Sequence, residues 1–305
     1  MFGNDDFDLM PKYDTFKYWF RYNTNSKMFD VYDRVSRCTI ASIRDIYSGD
    51  VEITTAITGD IENPIDVEIY YDDWCKFKLR PEYAFSTQVV FDMCMYKVDD
   101  PENLPWLKDY YEIAFIASVF IRAEHRDLDP DSQWPRIYRC LEWLRGTDFY
   151  VAPASTRYHD NLIGGLLRHS IRVMCRILQL IHSDAFKSFD MYASAVFVSL
   201  VHDWCKIGLY ESYNRNVKDP NGNWTQVMEF KHKESSLTCF GHGVSSMFLV
   251  QRFFNLDVDE ALAIRWHMSA YNLASSESHE LWLADTTYPL VHLLQFADQL
   301  SIVKY

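Results

Sequence analysis

The chain is short of glycine and proline, with ten of each in 305 residues, while 48% of it is apolar. That scarcity excludes collagen-like, low-complexity and intrinsically disordered classes and leaves enough apolar mass for a sizeable core. Long hydrophobic runs are also missing. The longest, Ile113–Ile121, is nine residues between Glu112 and Arg122, about half of the ~20 needed to cross a bilayer, and reads as a buried helix. The opening MFGNDDFDLM has neither the basic stretch nor the apolar segment of a secretory signal. The seven cysteines are odd in number, widely spaced and form no CxxC pair, which fits reduced core thiols better than a disulfide framework. The expectation is a cytoplasmic protein with no membrane segment.

Positive charge is in deficit too. The formal net charge is −13, and residues 151–305 hold 13 Lys and Arg against 15 Asp and Glu, leaving 17 against 28 for residues 1–150. Binding to a phosphate backbone relies on clustered Lys and Arg, so nucleic acid is a disfavoured partner. A homo-oligomer stays open. At about 100–200 residues per domain, the length suggests two domains.

Periodicity divides the chain. Val51, Ile53, Thr55 and Ile57 alternate with polar or small residues, as do Ile65, Val67 and Ile69 after Gly59-Asp60, predicting an antiparallel hairpin with a possible third strand near Thr39–Ile43. Beyond Glu82 the pattern becomes helical: 104–125, 135–145, 161–183, 189–203, 241–255, 257–270 and 287–303. Asp127–Gln133 is the most polar break, and Asp219-Pro220-Asn221-Gly222 marks a hairpin turn inserted between helices. The expected fold is mainly α: a mixed α+β domain over 1–130, then a helical bundle with a β-hairpin insertion over 131–305.

The chemistry-bearing residues lie in the second half. His169 stands in GGLLRHS, His202-Asp203 in FVSLVHDWCK, His242 in FGHGVSS, His267 in IRWHM and Asp298 in LLQFADQLS. Helices around a common core can point such residues into one interior site. Imidazole with carboxylate suits divalent Mn, Fe, Zn, Co or Ni. An ionised Asp298 after Leu293-Leu294-Gln295-Phe296-Ala297 is costly unless paired or metal-bound. His125, His159, His182, His232, His279 and His292 read by default as surface or core histidines.

The order His, His-Asp, His, His, Asp on successive helices resembles the HD-domain metal-dependent phosphohydrolase superfamily. VHDWCKIG is similar to its HD-x-x-K signature, with Cys205 where many members have Gly. APASTRYHDNLIGGLLRHS, RNVK and RWHM are most similar to a bacterial and phage-associated branch of HD hydrolases without assigned activity. The resemblance covers about residues 150–305.

It implies an HD-type bundle that hydrolyses nucleotides or related phosphate esters and anhydrides with metal-activated water. His169, His202, Asp203 and Asp298 would hold one divalent ion (Mn, Mg, Fe, Co, Ni or Zn). His242 and His267 would hold a second ion bridged by Asp203, or else serve the substrate. Lys206 would stabilise charge on the phosphoryl group beside Asp203; the alternative is a lysine at a helix C-terminus. Arg168, Arg215, Lys218 and Arg265 are candidate phosphate contacts or ordinary surface residues. Tyr213, Trp224 and Tyr271 are candidates for stacking on a base or for core packing. Two other functions stay open: a 3′–5′ exoribonuclease-like nuclease with an N-terminal nucleic-acid-binding domain, and a non-catalytic metal or nucleotide sensor.

Overall fold

The computed structural model describes residues 18–23, 28–33, 38–45, 51–55, 98–99, 104–181, 191–233, 240–271 and 273–302. Two compact units divide the chain between Arg80 and Pro81. Every described element of the first unit is a strand: β1 (Tyr18–Asn23), β2 (Met28–Asp33), β3 (Cys38–Asp45) and β4 (Val51–Thr55). They form one antiparallel sheet in sequence order. β1 and β2 pair from Tyr18↔Asp33 to Asn23↔Met28, and the β2–β3 register shifts at Val31/Tyr32. β4 pairs with β3, from Ala41↔Thr55 to Asp45↔Val51. The expected partner strand at 65–69 lies outside the described residues.

The second unit is mainly helical. Its described α-helices are α1 (Leu104–His125), α2 (Trp134–Arg145), α3 (Gly165–Ile181), α4 (Tyr192–Val201), α5 (His242–Gln251), α6 (Val258–Trp266), α7 (Ser278–Thr287) and α8 (Pro289–Ile302). Between α4 and α5 the expected hairpin is present as β5 (Tyr210–Lys218) and β6 (Trp224–His232), paired from Tyr210↔His232 to Lys218↔Trp224. Its turn is closed by Asp219 Oδ1, which accepts from the backbone N–H groups of Asn221 and Asn223 at 2.9 and 2.8 Å. α7 was not expected from the sequence. It buries only Leu281 and Ala284 while Trp282 and Leu283 face solvent, so SHELWLADTT carries no apolar stripe to announce it. No described helix is long and apolar enough to cross a membrane.

The boundary expected at 130/131 moves to 80/81 because α1 is the central post of the helical unit. It is buried nearly all round, as a hydrophobic helix without a polar face must be. Tyr111 Oη donates to Leu200 O at 2.8 Å and accepts from Trp204 Nε1 at 3.2 Å. Phe115 meets the rings of Phe197, Trp204 and Phe254 at centroid separations of 6.2, 6.0 and 5.7 Å. Arg122, at the end of α1, makes a two-pronged ion pair with Glu260 of α6, both contacts at 2.7 Å. The polar break at Asp127–Gln133 is a turn running into a short 3-10 segment (Pro130–Gln133), within one unit. Cys140 and Cys175 are buried, as core fillers.

The start of α3 sets the position of His169. A Cβ on Gly165 would lie 1.9 Å from Asp160 O and 3.0 Å from Ala154 N, so only glycine lets the preceding loop close onto the helix. That loop is held by Ala154 N–H donating to Asp160 O at 3.1 Å and by Arg172 bonding both Asp160 carboxylate oxygens at 2.6 and 3.0 Å. Gly165→Ala is expected to cost about 1–3 kcal/mol of stability, as forced overpacking does. Urea denaturation checks it, and an unchanged midpoint would show that the loop can give way.

Candidate metal centre

Side chains from several elements converge on one interior point. α4 stops at Val201, so His202 and Asp203 sit on the turn after it, and a 3-10 segment (Trp204–Lys206) carries Lys206 back beneath them. His267 follows directly on α6, His169 lies inside α3, and Asp298 lies inside α8. All five metal-type residues are buried.

His169 Nε2 stands 3.3 Å from His202 Nε2, 3.2 Å from Asp203 Oδ2 and 3.1 Å from Asp298 Oδ1. His202 Nε2 is 3.5 Å from Asp203 Oδ2 and 4.0 Å from Asp298 Oδ1. His267 Nε2 is 3.4 Å from the other Asp203 oxygen, Oδ1. Donors at about 2.0–2.2 Å from a tetrahedral ion stand roughly 3.3–3.6 Å from one another, and most of these spacings fall at or just below that range. Two triads, His169–His202–Asp203 and His202–His267–Asp298, keep their donor atoms within 4.8 Å.

The outward ring nitrogens explain why the inward ones are available. His202 Nδ1–H donates to Ser199 O and His267 Nδ1–H donates to Ile264 O, both at 2.8 Å. Ser301 Oγ donates its own proton to Asp298 O at 2.6 Å, so it accepts from His169 Nδ1–H at 3.2 Å. Three imidazoles therefore commit their Nδ1 protons outward and turn Nε2 to the centre, the arrangement by which outer partners orient metal-binding histidines. Nitrogen lone pairs 3.3 Å apart beside two carboxylates require a positive charge among them, a proton or a cation.

The titration of the cluster follows the same balance. Burial pulls His169 down, but hydrogen bonds to Asp203 and Asp298 outweigh it and hold the ring above its ordinary value. Burial pulls His267 down as well, and Asp203 again reverses the sign. For His202 burial wins and the ring is held low. Burial pushes the carboxyls of Asp203 and Asp298 up; the charge of Lys206 on the first, and the hydrogen bond and charge of His169 on the second, bring both below the usual carboxylate range.

Lys206 is buried, with Nζ 2.6 Å from Asp203 Oδ2. A 3-10 turn after the end of α4, not a continued α-helix, brings it there. His242, the first residue of α5, stands at the edge of the cluster, with Nδ1 3.4 Å from Cys205 Sγ. It lines a cavity of about 300 Å³ together with Phe240, Arg265, Met268, Tyr271 and Glu277. Arg265 thus reaches this cavity, paired with Glu277 at 3.6 Å and lying over the Trp266 ring. Arg215 pairs with Glu229 at 2.7 Å in a polar cleft of about 770 Å³ that also contains Arg157, Lys231 and His232.

Two expected phosphate contacts do not reach the site. Arg168 is buried and its guanidinium donates to the backbone oxygen of Val98, where no substrate can approach. Lys218 is at the hairpin tip, over the Trp224 ring, roughly 26 Å along the strand from Tyr210 at about 3.3 Å per residue. Tyr213 and Trp224 share that hairpin, and Tyr271 alone of the three aromatic candidates lines the cavity beside His242.

One residue escaped the sequence reading. The ring of His159 lies 4.9 Å from that of His169, with Nε2 buried and without a hydrogen-bond partner. Burial, reinforced by His169 and Lys206, holds it down at about 4. It sits in the loop that folds back onto α3, where no helical spacing links it to the cluster. No family model, curated protein or solved structure matches the chain.

Proposed function

We propose that the chain is a metal-dependent phosphohydrolase of the HD type, acting on nucleotides or related phosphate esters and anhydrides. One observation carries this reading: the histidines and aspartates in HD order, with the exception of His242, converge with Nε2 and carboxylate oxygens turned inward. His169, His202, Asp203 and Asp298 would hold one divalent cation, and His267 stands on the free side of Asp203 for a second. Such a cation supplies Lewis acidity and an acidified water for in-line attack on phosphorus.

The protein's own groups do the rest. Ser199, Ile264 and Ser301 fix the three ring orientations. Lys206 brings a buried ammonium to Asp203, suited to charge developing on phosphoryl oxygens. The cavity beside His242 offers Phe240 and Tyr271 to a planar base and Arg265 to a phosphate, which favours a nucleotide over a simple phosphate ester.

The test is a metal-free preparation reloaded separately with Mn, Mg, Co, Ni and Zn and offered nucleoside mono- and triphosphates, cyclic nucleotides and single-stranded RNA. Turnover of free nucleotides, abolished by chelator and little affected by salt, is the expected result. Cation uptake with no turnover across the panel would instead support a sensor. Turnover of RNA alone, falling steeply with salt, would support a nuclease. The same preparation carries a stability prediction. A cation at a hundred times its Kd should raise the unfolding free energy by about 2.7 kcal/mol, and Asp298→Asn should erase that rise in a thermal melt.

A further inference from the structure

Asp203 presents two different sides. Its Oδ2 is shared by His169, His202 and Lys206. Its Oδ1 faces His267 Nε2 at 3.4 Å and Cys205 Sγ at 3.9 Å. Cys205 Sγ in turn lies 3.4 Å from His242 Nδ1. The placement is built rather than incidental. Cys205 N–H donates to Ser246 Oγ of α5 at 3.0 Å, which ties the 3-10 segment to the helix that begins with His242. Gly243, where a Cβ would lie 2.1 Å from Arg265 O, brings that helix start against the end of α6. His267 Nε2 is buried and, beyond its 3.4 Å approach to Asp203 Oδ1, has no hydrogen-bond partner.

We propose that Cys205 is a thiolate ligand to a cation held on the Oδ1 side of Asp203, with His267 and His242, and that this position prefers thiophilic Zn(II), Co(II) or Fe(II) to Mg(II) or Mn(II). Bond lengths of about 2.3 Å to sulfur and 2.0–2.2 Å to nitrogen or oxygen put tetrahedral donors about 3.4 Å apart for nitrogen and oxygen, and about 3.6 Å apart when one is sulfur. The observed 3.4 Å (N···O), 3.4 Å (S···N) and 3.9 Å (S···O) are within a few tenths of an ångström of those values. One soft sulfur, two imidazoles and one carboxylate oxygen is a donor set that hard, water-loving Mg(II) does not favour. On binding, the S–H bond breaks, a sulfur–metal bond forms and the proton leaves to solvent, since a coordinated thiol is deprotonated. The inference rests on the reading of this cluster as a cation centre, though not on hydrolysis.

The experiment uses the full chain, stripped and reloaded with Co(II) under anaerobic conditions. The parent protein should show a thiolate-to-cobalt charge-transfer band in the near ultraviolet. Cys205→Ser should lose the band while retaining cobalt at the His169–His202–Asp203–Asp298 position. A band that persists in Cys205→Ser, or is absent from the cobalt-loaded parent, overturns the proposal. If Cys205→Ser does not fold, X-ray absorption of the Zn(II)-loaded parent decides the matter, together with peptide mapping after alkylation. One sulfur scatterer at about 2.3 Å and Zn-dependent protection of Cys205 support the ligand; nitrogen and oxygen scatterers only, or an unprotected thiol, refute it. Failure to bind any cobalt at all would overturn the cation centre as well, and so separates the two failures.

Discussion

Replacing Asp203 with Ala is expected to abolish cation binding and hydrolysis together, with a rate loss on the order of a thousandfold or more, the scale of removing one preorganised electrostatic partner from a transition state. No other side chain of the cluster touches as many members: its two oxygens reach His169, His202, Lys206, His267 and Cys205. Ala also strands the Lys206 ammonium in the interior, and breaking a buried pair by deleting one partner costs about 3–5 kcal/mol. Asp203→Asn separates the two effects, since it keeps the volume and a hydrogen-bond acceptor for Lys206 while removing the charge a cation needs. Both variants should contain no metal by elemental analysis, and Asn should melt closer to the parent. Lys206→Met provides the complement: cation content retained, turnover reduced about 10²–10³-fold. An Asp203→Ala protein that still binds a stoichiometric cation would remove the basis for the hydrolase reading.

A large effect on stability alone is expected at Glu260, which is no part of the cluster. Its side chain is 0% exposed and that of Arg122 4%. The two exchange paired contacts, Arg126 adds a third at 3.0 Å, and Glu260 Oε2 accepts from Asp257 N–H at 3.0 Å as the reciprocal half of a capping box. Glu260→Ala leaves Arg122 buried and unpaired, so unfolding in urea should show a loss of about 3–5 kcal/mol. Replacing Arg122 and Glu260 together by Met and Leu should recover most of it, because an apolar pair carries no desolvation cost. The pH dependence has a definite sign. Burial pushes the Glu260 carboxyl up, but the hydrogen bond and charge of Arg122 outweigh it, holding the folded value below 4.5. Its contribution is therefore complete above pH 4.5 and lost as pH falls through the folded value. Glu260→Gln should lack this acid-side component. Equal acid sensitivity in parent and variant would show that other carboxylates dominate the transition.

The candidate site was more legible in the sequence than the domain layout. Asp298 and His202-Asp203 stand in or just after apolar helical stretches, and a polar group there needs a partner; that the partners are one another was implied by the resemblance. His159 could not, because it lies in a loop whose path is set by Gly165 and the Asp160–Arg172 pair rather than by periodicity. Arg168 misled for the opposite reason. Its neighbour His169 points to the centre, but adjacent residues on a helix project in different directions, and Arg168 turns to Val98. The boundary was misplaced because Asp127–Gln133 has the composition of a linker, while the contacts that tie α1 to the later helices, Tyr111 to Leu200 and Arg122 to Glu260, join residues separated by 89 and 138 positions. Such pairings leave no local trace. Helix α7 was missed for want of an apolar stripe.

α8 contributes Asp298 and, one turn later, the Ser301 hydroxyl that fixes the His169 ring across 132 positions. During synthesis His169 of α3 and His202 on the turn after α4 leave the ribosome well before either group. If the cluster holds a cation, a nascent chain would offer it only His169, His202, Asp203 and His267 until α8 docks, so the complete donor set would exist only in the finished bundle.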